Sequence, residues 1–94
     1  MTRERGPAWD GDRTMNEQEG WPEHAAFLNE LVSAKVIAVG GPLGDGGRIL
    51  LIIEASSEAK AQAELEADPW TSMQLLTVVS VEPWTIMLGE LTRP

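Results

Sequence analysis

The chain carries one histidine, His24, and neither cysteine nor tyrosine. Acid–base chemistry near neutral pH therefore rests on a single imidazole and on the carboxylates. Among the carboxylates Asp68 stands apart, because it ends an alanine-rich segment and is fixed in front of Pro69. An imidazole set into an apolar stripe needs a hydrogen-bond partner. A carboxylate in that role would hold one ring tautomer and stabilise the imidazolium. Each residue also has a plain structural reading, since a lone histidine can belong to the core or the surface and Asp before Pro is a helix stop. Sequence spacing alone does not bring the two together.

The same composition removes other chemistries. Without cysteine there are no disulfides, thiolate nucleophiles or cysteine-bound metal centres. One histidine cannot supply two ligands to a metal, and the acids show no EF-hand spacing, so no metal and no cofactor are expected. The glycine-rich stretch GGPLGDGGR (40–48) lacks the Lys-Ser/Thr of a phosphate loop and the GxGxxG spacing. A strand follows it where a phosphate loop needs a helix N-terminus, and it reads as a hairpin turn. The net charge of −8 has the wrong sign for nucleic acid. Arg3, Arg5 and Arg13 balance Glu4, Asp10 and Asp12, so residues 14–94 hold all of that charge, which reads as a solvated acidic face.

The four tryptophans, Trp9, Trp21, Trp70 and Trp84, each lie within two residues of a proline. As large anchors they fill out a small core; alternatively Trp70, beside Asp68, walls a pocket for a flat apolar ligand.

Ninety-four residues allow one domain, 1–94, which buries only about 60–65% of the surface its unfolded chain exposes. Residues 5–20 have no hydrophobic period and read as a long loop. Pro22 suits the first turn of a helix, and EHAAFLNELVSAK (23–35) places His24, Phe27, Leu28, Leu31 and Val32 on one stripe, with Lys35 in the last turn. Val36–Gly41 and Arg48–Ala55 read as strands of a hairpin around Pro42–Gly47. Ser56 or Ser57 caps a helix over Ser57–Ala67, which Asp68-Pro69 ends. Trp70–Gln74 makes one turn, Leu75–Val81 is a strand, and Trp84–Leu91 is expected as a further extended segment. The body at 21–91 is thus helix, two strands, helix, two strands.

The run Ile49–Ile53 is apolar on both faces of its strand. It is too short to span a bilayer, and MTRERGPAWDGDR has no apolar region of a secretory signal, so a cytoplasmic protein with no membrane partner is expected. Two short helices cover one face of a sheet. The other face must meet apolar surface, and a second copy of the sheet would supply it, giving a homodimer packed through its sheets.

The segments EHAAFLNEL, VGGPLGDG, the alanine-rich helix ending in DPW, and VEPWTIML resemble, in order, the YCII-related (YciI-like) family, from about Glu4 to Leu91. The resemblance implies an α+β, ferredoxin-like domain with an antiparallel sheet that dimerises into an α/β barrel. It implies a His–Asp pair in a cleft, mapped onto His24 and Asp68, with Gly41, Pro42 and Leu43 along the wall. Most members have no assigned reaction; a few resemble lyases that remove chloride from chlorinated hydroxyhydroquinones, and others occur with transcription regulators. The family normally opens with an apolar first strand. Here Met1 starts almost inside the match, so the first strand is expected to be truncated: either the true start lies upstream, the reading favoured, or the domain tolerates a stub over Met1–Arg5 within residues 1–20.

The function expected from these readings is a small dimeric enzyme of lyase or isomerase type acting on a small aromatic or enolisable substrate. His24 acts as general base and then acid, Asp68 holds its tautomer, and Phe27 and Trp70 shape an apolar wall. The alternative is a non-catalytic small-molecule-binding or regulatory module.

Overall fold

Helix α1, Trp21–Ser33, begins where the sequence supplies its start signals. Gly20 takes a left-handed conformation (φ 76°) at the N-cap, Pro22 occupies the first turn, and Glu23 faces the positive end of the dipole. A Cβ at position 20 would press on Met73 and on the Trp70 indole, so glycine also permits close approach there. At the other end Lys35 lies past the helix, not in its last turn. It adopts φ 64°, and the amides of Lys35 and Val36 donate back to Val32 and Leu31. That closure turns the chain directly into a strand.

The structure, a computed structural model, describes residues 1–89. Four strands form one antiparallel sheet: β1 (Thr2–Arg5), β2 (Ile37–Leu43), β3 (Arg48–Ile53) and β4 (Leu76–Ser80), in the order β2-β3-β1-β4. With α1 between β1 and β2, and helices α2 (Glu58–Glu66) and α3 (Pro69–Ser72) between β3 and β4, this is the α+β, ferredoxin-like arrangement. The short β1 is central. It pairs with β3 through Arg3 and Ile49 and with β4 through Glu4 and Thr77, so its few residues satisfy backbone groups on both neighbours.

Two expected boundaries move. Strand β2 continues through Pro42 and Leu43, leaving the reversal to Gly44–Gly47; proline is tolerated because β2 is an edge strand. Residues 84–89 are not a strand. After Pro83 the segment has no strand beside it among the described residues, and Trp84, Met87 and Leu88 are exposed. Positions 90 and 91 of that expected segment lie outside the described residues.

The core lies between the sheet and the helices. Ile37, Ile49, Leu51 and Leu76 point inward from three strands, against Leu65 of α2, Trp70 of α3 and Leu75. Helix α2 contributes little beyond Leu65 and Ala61, as its alanine-rich sequence dictates; Ser57 caps it by accepting from the Lys60 amide at 3.1 Å. At the end of β1, Gly6 donates to Leu75 at 2.8 Å, and a Cβ there would overlap the Gln74 carbonyl. Replacing Gly6 by Ala must move backbone, and Gly6→Ala is expected to lower unfolding stability by about 1–3 kcal/mol in urea denaturation.

Candidate functional site

Asp68 occupies the N-cap of α3, with the extended ψ of 125° that a residue before proline prefers. Its Oδ1 accepts from the Trp70 amide at 3.0 Å, the usual capping bond. The rest of its capacity goes across the fold. His24 Nδ1, one turn into α1, lies 2.9 Å from both carboxylate oxygens, and Arg3 of β1 donates from Nη1 to Oδ2 at 2.9 Å. Arg3 Nη2 reaches Thr71 Oγ1 at 3.0 Å, and that hydroxyl donates to the Leu65 carbonyl. A central strand and two helices thus meet on one carboxylate. Arg3, His24 and Asp68 are each no more than 3% exposed.

Burial pushes the Asp68 carboxyl up. The hydrogen bonds from His24, the Trp70 amide and Arg3, with the His24 charge adding to them, outweigh it and hold the group below the usual carboxylate range. An ionised carboxylate only accepts, so His24 Nδ1 carries the proton in this pair. In the neutral ring the pair therefore fixes the tautomer in which Nε2 holds a lone pair.

The His24 ring is also held from behind. Trp70 stacks on it with centroids 3.9 Å apart and planes 7° from parallel, Trp21 is tilted against both, and Trp9 meets Trp70 edge-on at 5.7 Å. Trp70 Nε1 donates to the Glu19 carbonyl at 2.8 Å, tying the ring to the long loop. That loop is organised by the buried Gln18, whose amide accepts from the Asp10 N–H and donates to the carbonyls of Asp10 and Arg13.

In front of His24 lies a cleft of about 340 Å³. Arg3, Trp21, His24, Gly41 and Pro42 line it, with aliphatic walls from Leu28, Val32, Ile37 and Leu51. Gly41 and Pro42 thus sit with His24. Trp70 stands behind the imidazole, fully buried, and Phe27 packs against the core; neither is on the cleft lining. Leu43 lies over the hairpin turn in a separate open depression with Glu4 and Asp45. Asp68 too is off the lining, bonded to Arg3 and His24, which are on it. The sequence reading missed Arg3, Trp21 and Gln18. Arg3 carried a signal, since a strand placed centrally between two others must turn alternate residues into the core.

No helix of the described residues is long and apolar enough to cross a membrane, and among those residues no cluster of His, Cys, Asp or Glu could hold a metal. A model of the YCII-related domain matches residues 7–85. No curated protein and no solved structure matches the chain.

Two consequences can be measured. Because the folded-state pKa of Asp68 lies below its unfolded value of about 3.9, the unfolded chain binds more protons in that interval. The carboxylate's stabilisation is then complete above the unfolded value and is lost as pH falls through the folded one. Urea midpoints of the wild type are expected to drop on acidification below about pH 4. Asp68→Asn leaves Arg3 buried without its counter-charge and should cost about 3–5 kcal/mol at neutral pH, while flattening that acid dependence.

Proposed function

The chain belongs to the YCII-related domain family, and we propose that its cleft is an acid–base site in which His24 Nε2 takes a proton from a hydroxyl or an activated carbon and later returns it. The observation that carries this reading is the His24 Nδ1–Asp68 hydrogen bond on the wall of a mostly apolar cleft. With Nδ1 committed as donor, Nε2 is the nitrogen left for a ligand, and its lone pair suits it as a base. The imidazolium formed on proton transfer is stabilised by Asp68 and by the face of Trp70 beneath the ring. Arg3 keeps Asp68 ionised, and so keeps it an acceptor, throughout.

The apolar walls and modest volume suit a small aromatic or enolisable substrate, and the reaction is of lyase or isomerase type. Positioned acid–base catalysis of this kind contributes about 10²–10⁴-fold. A panel of enolisable ketones and hydroxyquinones in deuterated water, followed by NMR, tests it. The wild type should accelerate proton exchange at an activated carbon. His24→Gln should lose that acceleration by about 10²-fold or more while keeping the fold by circular dichroism. Equal exchange in the two proteins would remove catalysis from the reading and leave a binding module.

The reading sets this site in a cytoplasmic homodimer. By register, Val39 and Ile52 stand opposite each other on the sheet face away from the helices, and Leu50 shares that face opposite Thr2. Val39 is half exposed, and a second copy offers the same apolar face in return. Sedimentation should find the wild type dimeric and Ile52→Lys shifted to monomer; a wild-type monomer at tens of micromolar, roughly the range where weak interfaces dissociate, would contradict it.

A further inference from the structure

The described residues lining the cleft include no carboxylate, although the chain has fifteen acids and a net charge of −8. The ionisable lining residues are Arg3 and His24. Asp68, the carboxylate that balances Arg3, is bonded to Nη1 and is not on the lining, whereas Arg3 is. Arg3 Nε is, among the described residues, the buried side-chain nitrogen without a hydrogen-bond partner, on a side chain 1% exposed. A buried guanidinium N–H left unpaired is costly, and an oxyanion is its best acceptor. Apart from the uncharged Asn29 the remainder of the wall is apolar, with Trp21, Leu28 and Ile37 available to a ring or short chain.

We infer that the cleft selects small organic monoanions: an apolar body against Trp21 and the aliphatic wall, and its oxyanion at the Arg3–His24 end. This rests on the His24 cleft being a ligand site, and it adds the charge and shape of what enters. In a protein whose surface repels anions, selection must be local to the cleft, because charges outside it are screened within about 8–10 Å at physiological salt. Arg3 serves as a specificity residue here through its unpaired N–H and its place on the lining. Its Nη bonds to Asp68 and Thr71 hold it in place.

Benzoate and its neutral isostere benzamide serve as probes, with binding followed by NMR on the four tryptophan indole N–H signals and the single histidine ring. Arg3 substitutions break a buried ion pair and are unsuitable as the only variant. Val32, half exposed at the cleft wall, is the better position, since Val32→Glu places an acid beside the cleft without opening the core. The wild type is expected to favour benzoate over benzamide by about tenfold, and Val32→Glu to reduce that ratio by about threefold or more. Equal affinities in the wild type, no benzoate binding, or a ratio that ignores Val32→Glu would each overturn the inference. The readout is binding, so proton exchange in the enolisable panel stays separate: charge selection can fail with exchange intact, and exchange can fail with charge selection intact.

Discussion

A single ionised carboxylate, Asp68, organises this small domain. A carboxylate out of water is tolerated only when its charge is balanced and its lone pairs are filled, and here Arg3, His24 and the Trp70 amide do both. Those partners come from β1, α1 and α3, so one group ties the central strand to both helical segments. Because the tie is polar and directional, it fixes orientation more than it adds net stability. The aliphatic core under the sheet supplies the burial, and Asp68 supplies the register between layers.

The constraint propagates outward. Pro69 and the capping bond hold Asp68 at the start of α3, and the first turn of that helix sets Trp70 flat beneath His24. The Trp70 indole in turn fixes the loop at Glu19, just before Gly20 starts α1 and, a turn later, delivers His24. The imidazole is thus bounded by an acid on Nδ1, a ring beneath and a cleft in front. In that setting the neutral ring has one proton position and one orientation.

Much of this was legible in the residues. The helix starting at Trp21-Pro22, the hairpin around Asp45-Gly46, the Ser57 cap and the Asp68-Pro69 stop are local signals, and the structure places each within a few positions of where they point. Local signals misled where pairing was needed. The segment from Trp84 reads as extended by composition, yet in the described residues it has no strand beside it. The site was legible only in part for the same reason. His24 and Asp68 are chemically conspicuous, whereas Arg3 looked like one charge in a neutral N-terminal stretch and gains its meaning from β1 lying in the middle of the sheet. Phe27 sat on the right stripe, but that stripe is wide enough to serve both core and cleft, and Phe27 turned to the core.

In this arrangement Asp68 takes the proton side of His24 Nδ1 and leaves Nε2 free of that bond. Nitrogen-15 correlation spectra of the ring test it most directly, and with one histidine in the chain the signals need no assignment. At a pH where the ring is neutral, Nδ1 should be protonated and Nε2 bare, with the pattern lost in Asp68→Asn. A ring protonated at Nε2, or one averaging freely between tautomers, would contradict it.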